Sequence, residues 1–257
     1  MATIRKKEEN KMIDIHSNIL PNMDDGASSW KISLKMCQQA YQDGVKTIVA
    51  TPHTLNGIYE NNPQAIEEKV KTLNQKLKEN NIPLQVLPGS EVHLRGDIIE
   101  KLKKQEIITL NKTNYILLEF STTQIPLQIE EILFQIQIIG LTPILSHVER
   151  NLEFQHQPDL LANLIQKGAL AQLTAASLCG AFGTKIRKLS QELLANGLIY
   201  CIASDAHSNS EQGRSPTLSK AVSEASKIIG QKPALDLVQT NPEKIIMNIY
   251  SPLRGED

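Results

Sequence analysis

Residues 12–53 decide the fold class, and they read MIDIHSNILPNMDDGASSWKISLKMCQQAYQDGVKTIVATPH. The apolar run Met12–Ile15 predicts a strand, and the segment after it places its large apolar side chains on one helix face. That helix is expected to end at Asp43-Gly44, and the β-branched run Val45–Ala50 predicts a second strand. This order predicts a parallel βαβ unit. The side chains on the helix face are Trp30, Leu34, Cys37 and Tyr41.

The same alternation continues along the chain to about Ile229. The strand-like runs are mostly apolar without strict alternation, as expected for strands that are buried on both faces. Seven such runs, each followed by a helix, predict an α/β fold with a parallel sheet. The predicted strands are Met12–Ile15, Val45–Ala50, Leu84–Leu87, Tyr115–Leu118, Pro143–Leu145, Leu170–Leu173 and Leu198–Ile202. The later helices are predicted at Ala65–Asn80, Ile98–Lys104, Ile129–Ile139, Asp159–Lys167, Lys185–Ala195 and Leu218–Ile229.

The length of the chain and its two ends suggest the domain boundaries. A chain of 257 residues fits one domain, since α/β barrels take about 200–250 residues. We expect residues 1–11 to form a charged N-terminal extension and residues 12–257 to form a single domain. The tail from Pro233 onward, in which Pro242 opens a short helix, is expected to be a helical appendage on the surface.

The composition excludes several classes of protein. With 27 basic and 28 acidic residues, the net charge of -1 creates no field that favours nucleic acid or an anionic membrane. Three cysteines without a CxxC pair argue against a disulfide framework and against a thiolate zinc site. The start of the chain lacks an apolar signal segment, and the apolar runs are too short to span a bilayer. We therefore expect a soluble cytoplasmic protein without nucleic-acid partners or membrane insertion, and its oligomeric state stays open.

Histidines and carboxylates recur directly after the predicted strands. In a parallel βα barrel the carboxyl ends of the strands lie on one face, where active sites are built. Five of the six histidines are therefore expected to converge there with several carboxylates. Asp24 and Asp25 either contribute a ligand or only form a turn before Gly26, and the residues alone leave both readings open. The side chains at the strand ends are His16, His53, Glu91, His93, Glu119, His147, Asp205 and His207.

These residue types indicate a metal cluster. Imidazole and carboxylate donors without thiolates suit manganese, iron, cobalt or zinc. There are more donors than one ion needs, so we expect two or three divalent ions, with Glu91 able to bridge two of them. Asn18 stands two residues after His16, in the same spacing as Asp205 and His207, and its amide oxygen is a further candidate ligand.

Two arginines suggest the class of substrate. Arg150 and Arg214 each follow one of these histidines closely, and a guanidinium fork beside a metal cluster suits a phosphate group. From spacing alone, a surface ion pair explains them equally well. A cysteine-dependent phosphatase is disfavoured, because it needs an arginine six residues after the nucleophile and Cys179 has Lys185 there.

The segments at the strand ends resemble those of the PHP (polymerase and histidinol phosphatase) superfamily. Within it, the chain is most similar to the bacterial metal-dependent protein-tyrosine phosphatases of capsule and exopolysaccharide loci. The similarity extends in order and spacing from about Met12 to Arg214. The matching segments are DIHSNILPNMDDGA (14–27), ATPH (50–53), GSE (89–91), LEF (118–120), SHVERN (146–151) and SDAH (204–207).

The resemblance implies a distorted, seven-stranded (β/α)7 TIM-like barrel of the PHP type with a trinuclear centre, usually of manganese. It implies that the substrate is phosphotyrosine on a bacterial tyrosine kinase that controls polysaccharide assembly. It also implies that Arg150 and Arg214 hold phosphate. Asn18 departs from the family pattern, which has histidine there, so one metal site is expected to be weaker. The implied ligands are His16, Asp25, His53, Glu91, Glu119, His147, Asp205 and His207.

Three hypotheses about function follow. The first is hydrolysis of a phosphomonoester by water that cations bridged by Glu91 activate. In it Arg150 and Arg214 neutralise the developing charge, and a metal or His207 assists the leaving group. The second hypothesis keeps the cluster but takes histidinol phosphate or another small phosphoester as the substrate. The third is a kinase-binding protein that has little activity because of Asn18.

Overall fold

The computed structural model describes residues 11–210 and 214–249. Within these ranges the chain forms an α/β fold in which parallel strands alternate with helices. Residues 1–10 of the expected N-terminal extension and residues 250–257 of the expected appendage lie outside the described residues. The strands are β1 (Met12–Ser17), β2 (Val45–Ala50), β3 (His53–Thr54), β4 (Gln85–Pro88), β5 (Glu91–His93), β6 (Tyr115–Glu119), β7 (Thr142–Leu145), β8 (Leu170–Thr174) and β9 (Cys201–Ala203).

The second and third predicted strands are each followed by a short strand that the sequence did not predict. β2 ends before Thr51-Pro52 and resumes as β3, and β4 ends before Gly89-Ser90 and resumes as β5. Pro52 has no N–H to donate to a ladder. At Gly89 a Cβ would lie 2.8 Å from Val49 Cγ1. The backbone after β4 therefore approaches β2 more closely than a residue with a side chain would allow. The breaks transfer the pairing from β2–β4 to β3–β5.

The parallel strands form two sheets that curl together, so that strand ends from distant parts of the chain face one another. The smaller sheet has the order β1-β2-β4, and the larger sheet has the order β3-β5-β6-β7-β8-β9. Beyond β9, Ser17 bridges Ala206, and the backbone N–H of Asp205 donates to the carbonyl of His16 at 2.8 Å. The carboxyl ends of β1 and β9 are therefore held side by side.

The predicted helices begin and end within two residues of their expected positions. α1 begins after the N-cap Ser29 and ends at Gly44, whose φ of 101° is left-handed, as the sequence predicts for a C-cap. The helices are α1 (Trp30–Asp43), α2 (Pro63–Glu79), α3 (Ile98–Lys103), α4 (Ile129–Ile138), α5 (Leu152–His156), α6 (Pro158–Gln166), α7 (Ala175–Leu178), α8 (Thr184–Ala195), α9 (Ser219–Ile229), α10 (Gln231–Asp236) and α11 (Thr240–Ile246).

The C-terminal helices are more buried than a surface appendage would be. Ala234, Val238 and Ile245 have exposed fractions of 0%. The carbonyl of Val238 accepts a hydrogen bond of 2.8 Å from the N–H of Ile13 at the start of β1. Ile245 belongs to the smaller of two apolar clusters, which also contains the side chains of Ile15 and Leu117. α11 is therefore packed against the strands, because Ile245 closes one end of this cluster, whereas Ala234 of α10 belongs to the larger apolar cluster.

No helix in residues 11–210 and 214–249 combines the length and the hydropathy that a membrane-spanning helix needs.

Candidate metal centre

The histidines and carboxylates predicted as ligands gather at the carboxyl ends of the strands. β1 carries His16, β3 and β5 begin with His53 and Glu91, and β6 ends with Glu119. His147 follows β7, Asp205 and His207 follow β9, and Asp25 lies in the loop after β1. We call this group the cage; its members are His16, Asp25, His53, Glu91, Glu119, His147, Asp205 and His207.

Glu91 lies at the centre of the cage and is fully buried. Its Oε2 is 3.1 Å from His16 Nε2 and 3.0 Å from His53 Nδ1. Its Oε1 is 3.0 Å from His147 Nε2. One carboxylate thus faces three imidazoles that come from β1, β3 and the loop after β7, which is the arrangement expected for a bridging ligand.

Two further groups of donors flank Glu91. On one side, Glu119 lies 3.4 Å from His53 Nδ1 and 3.5 Å from His147 Nε2. On the other side, Asp25 Oδ1 lies 3.4 Å from His207 Nε2 and 3.7 Å from His53 Nε2. The donors within reach of a common ion form three sets: His16, Glu91 and Asp205; His53, Glu91 and Glu119; and Asp25, His53 and His207.

The loop after β1 separates the roles of its two aspartates. Asp24 accepts hydrogen bonds from Asn18 Nδ2, from the N–H of Gly26 and from the N–H of His53, so its carboxylate holds the loop together. Asp25 is the one that faces the cage histidines. Gly26 permits this loop to lie against Asn18, because a Cβ there would be 2.1 Å from the Asn18 carbonyl oxygen.

Asp205 is fully buried and accepts hydrogen bonds from both predicted phosphate-binding arginines. Arg150 Nη2 donates to it at 2.5 Å, and Arg214 Nη1 contacts its two oxygens at 3.0 and 2.9 Å. Asp205 and His147 have positive φ angles of 52° and 34°, which non-glycine residues seldom adopt. Such strain is common at functional sites, and here it occurs at two of the predicted ligands.

The donor atoms of the cage fit a divalent cation. His207 Nδ1 donates to the carbonyl of Asp205 at 2.9 Å, so its Nε2 is left as a lone-pair donor. In the part of the chain that the structure describes, five buried cage atoms form no hydrogen bond: His16 Nε2, His53 Nδ1, His207 Nε2 and both oxygens of Glu91. Buried polar atoms are normally satisfied, so this concentration of polar atoms without a hydrogen-bond partner fits a cation-binding site. Nitrogen and oxygen donors without sulfur agree with the metals expected from the sequence.

Within the cage, opposite charges strongly shift the pKa values. Burial lowers the pKa of His16, but the charges of Glu91 and Asp205 outweigh burial and raise it to about 9. Burial also lowers the pKa of His53, yet Glu119 and Glu91 raise it to about 11. Burial raises the pKa of Glu91, but the neighbouring imidazoles hold it well below its usual range. Protons and cations therefore compete for the same lone pairs, and cation binding must release protons.

Three residues near the cage were not singled out from the sequence. Asp14 is buried in β1 and accepts hydrogen bonds from the N–H groups of His16 and Ser204, which joins β1 to the end of β9. Gln172 is buried in β8 and contacts two predicted ligands. Phe182 is 39% exposed, and its ring centroid is 5.3 Å from Arg150 Cζ. A lone glutamine within the apolar run Leu170–Leu173 was the one signal that could have identified Gln172.

Comparison with known proteins places the chain in a family. Residues 12–247 match the model of the capsular polysaccharide synthesis family CpsB/CapC. The chain is 43% identical over 196 residues to the tyrosine-protein phosphatase YwqE of Bacillus subtilis, covering 76% of this chain and 77% of that protein. It is 34% identical over 242 residues to the tyrosine-protein phosphatase CpsB of Streptococcus pneumoniae, covering 92% of this chain and 99% of that protein.

Solved structures agree with this assignment. A structure from work on YwqE and on S. pneumoniae CpsB, described there as unique metal-dependent tyrosine phosphatases, matches with a TM-score of 0.90 and 38% identity. It covers 96% of this chain and the whole of that chain. The phosphotriesterase homology protein of Escherichia coli shares the fold alone, with a TM-score of 0.61 at 12% identity over 93% of this chain and 99% of that chain. The chain therefore belongs to the CpsB/CapC family of capsular polysaccharide synthesis proteins.

Proposed function

We propose that this protein is a metal-dependent phosphatase that hydrolyses phosphotyrosine in proteins. The observation that carries the proposal is the cage, in which Glu91 faces three imidazoles while two arginines lie against its neighbour Asp205. The proposed metal ligands and the proposed phosphate-binding groups therefore lie next to each other, which supports the proposal. The relatives YwqE and CpsB are named tyrosine-protein phosphatases, which supports the same activity here.

The cage would hold two or three divalent ions. The three donor sets support this number, and Glu91 belongs to two of them. His53 also belongs to two sets but would use a different nitrogen in each, so a neutral His53 serves one ion at a time. We favour manganese, although iron, cobalt and zinc accept the same donors. Asn18 would contribute its buried Oδ1, which no described residue contacts by a hydrogen bond.

The residues of the cage and its arginines divide the chemical work. Divalent ions, when bound, supply Lewis acidity and lower the pKa of coordinated water. Arg150 and Arg214 would bind the phosphoryl oxygens and neutralise the charge that develops on them. The tyrosyl leaving group has a pKa of about 10, so it departs without a strong general acid. His207 Nδ1 donates to a backbone carbonyl, so we assign its Nε2 to ion binding. Assistance to the leaving group would be a secondary role of His207.

The first prediction concerns cofactor and nucleophile. Dialysis against a chelator is expected to lower the kcat for a phosphotyrosyl peptide at least about 100-fold, with recovery on adding Mn²⁺. Alkylation with iodoacetamide is expected to leave kcat unchanged, because burial raises the pKa of Cys37 to about 12 and also raises those of Cys179 and Cys201, and no cysteine belongs to the cage. A steady-state assay of both treated samples checks this. Loss of activity on alkylation, with resistance to chelation, would contradict the proposed function.

The environment of Arg150 favours an aryl phosphate over an alkyl phosphate. If Arg150 binds the phosphate of a phosphotyrosyl substrate, the phenyl ring of the substrate would lie next to Phe182. The side chain of Phe182 is exposed enough to stack on that ring. Comparing turnover of a phosphotyrosyl peptide and of histidinol phosphate tests the choice of substrate. A strong preference for histidinol phosphate would support the small-molecule alternative instead.

The second prediction follows from this contact. Phe182→Leu is expected to raise the KM for a phosphotyrosyl peptide roughly 2- to 10-fold, since an aromatic pair contributes about 0.5–1.5 kcal/mol. The kcat/KM for an alkyl phosphate is expected to stay the same. Phe134→Leu is the matched control, because Phe134 is an exposed phenylalanine on α4 that is not part of the cage. Equal losses on both substrates would show that Phe182 does not recognise the aryl ring.

The proposed biological substrate is a bacterial tyrosine kinase that controls polysaccharide assembly. The family's link to capsular polysaccharide synthesis supports this choice. A low-activity kinase-binding protein is the alternative that Asn18 suggests. Under our proposal the purified protein is active with asparagine at this position, and Asn18→His brings no sharp gain in metal content or turnover.

We further propose that the fold is a distorted seven-stranded barrel and that residues 12–257 form one domain. If β2 with β3 and β4 with β5 are each counted as one interrupted strand, the nine strands of the described residues reduce to seven. The bridge between Ser17 and Ala206 would join the last strand to the first. A crystal structure would test this closure by the pairing between β9 and β1.

A further inference from the structure

Gln172 occupies a position between two predicted metal ligands. It lies in β8, which pairs with β7 on one side and with β9 on the other. The strands β7 and β9 are each followed by members of the cage, but β8 contributes none. The side chain of Gln172 is fully buried. Its Oε1 is 3.0 Å from His16 Nδ1 and 3.1 Å from the backbone nitrogen of His147. A single amide oxygen therefore contacts ligands that stand 131 positions apart in the chain, at residues 16 and 147.

The backbone contact fixes the orientation of the Gln172 amide. The N–H of His147 can only donate a hydrogen bond, so the atom that faces it must be the carbonyl oxygen of Gln172. The same oxygen faces His16 Nδ1, and an oxygen acceptor requires that this nitrogen carry a proton. In the neutral imidazole the lone pair is then on Nε2, which points to Glu91 Oε2 and Asp205 Oδ1 at 3.1 and 3.3 Å.

The contact to His147 also has a structural consequence. His147 has a φ of 34° and a ψ of 47°, a left-handed conformation that is unfavourable for a side chain with a Cβ. The hydrogen bond to Gln172 satisfies the N–H of His147 in this conformation. The hydrogen bond thereby holds the imidazole ring of His147 with its Nε2 3.0 Å from Glu91 Oε1.

We infer that Gln172 is a positioning residue that sets the ion-binding geometry of His16 and His147. It holds His16 in the tautomer whose Nε2 binds the ion, and it holds the backbone turn that presents His147. This inference rests on the proposed metal centre, and it assigns a role to a residue that binds no ion itself. Groups that orient metal-binding histidines typically change metal affinity about 10- to 100-fold when they are replaced.

The test measures Mn²⁺ binding to the metal-depleted full-length protein by competition with a fluorescent chelator. Gln172→Met keeps the length of the side chain but removes the acceptor, and it is expected to weaken Mn²⁺ binding about 10- to 100-fold. Gln172→Glu keeps an acceptor for both N–H groups and is expected to remain within about threefold of the unaltered protein.

Asn74→Leu is the control for a lost structural amide. Asn74 bonds the N–H and the carbonyl of Val86 on β4 through its own side chain, outside the cage. This variant is expected to lower the melting temperature without changing Mn²⁺ affinity. Equal Mn²⁺ affinity in the unaltered and Gln172→Met proteins would overturn the inference while leaving the proposed function intact. An unaltered protein that binds no Mn²⁺ would contradict both.

A second measurement needs no variant. In the ¹⁵N-histidine NMR spectrum of the unaltered protein loaded with diamagnetic Zn²⁺, His16 is expected to show a protonated Nδ1 and a zinc-bound Nε2. A Zn²⁺-bound protein with the proton of His16 on Nε2 would overturn the inference even if Gln172→Met failed to fold. If the Gln172→Met protein folds, we expect the Nδ1 proton of its His16 to exchange with water faster than in the unaltered protein.

Discussion

Glu91→Gln is expected to lower the kcat/KM for a phosphotyrosyl peptide by at least about 1,000-fold, because this carboxylate is shared by two donor sets. The amide that replaces it carries no charge and faces His16, His53 and His147 with one oxygen and one NH₂ group. Ion binding at both sets is therefore expected to fail together. Metal content by mass spectrometry and steady-state kinetics on the same sample measure the two effects.

Glu130→Gln is the matched control for this variant. Glu130 is an exposed glutamate on α4 that pairs with Lys167, and its replacement is expected to change neither metal content nor kcat/KM. Circular dichroism of both variants establishes whether they are folded. A folded Glu91→Gln protein with full metal content and normal turnover would show that Glu91 is not the bridging ligand.

Arg150→Lys is expected to lower kcat/KM about 100-fold, with a smaller change in Mn²⁺ affinity. Lysine keeps the positive charge but offers a point charge in place of the planar fork that binds phosphate through two nitrogens. Arg214 contacts both oxygens of Asp205, and Arg150 contacts one of them. We therefore expect Arg150→Lys and Arg214→Lys to be non-additive when they are combined.

Arg187→Lys is the control, since Arg187 is a surface arginine that pairs with Glu224 at 2.8 Å. Its kcat/KM is expected to remain unchanged. Inhibition by inorganic phosphate separates substrate binding from ion binding, and the Arg150→Lys protein is expected to need more phosphate for half inhibition. If its kcat/KM and phosphate inhibition match those of the unaltered protein, Arg150 does not contact the phosphoryl group.

The sequence predicts the location of the site because its evidence is positional. His16, Glu119 and His147 come after apolar runs that predict strands, and parallel strands bring their carboxyl ends to one face. The ends of the second and third strands near Ala50 and Leu87 follow from the sequence, but the short strands β3 and β5 were not predicted, because their pairing depends on how closely two neighbouring strands approach. Local periodicity carries no such information.

The roles of individual side chains depend on contacts that spacing does not contain. Spacing alone leaves Asp24 and Asp25 equivalent, and only the family resemblance selects Asp25; the structure turns Asp24 to the loop and Asp25 to His207. Gln172 was missed for the same reason, since its partners His16 and His147 lie on other strands. The two predicted arginines are drawn together by Asp205, a contact that no separation along the chain indicates.

The most direct test of the cage is anomalous diffraction at the manganese absorption edge from crystals grown with Mn²⁺. Side chains from six strand ends are proposed to bind ions jointly. We predict at least two anomalous peaks, with Glu91 within bonding distance of both and with His16 and His147 bound to different ions. A fully occupied crystal whose peaks all lie away from Glu91 would contradict the account.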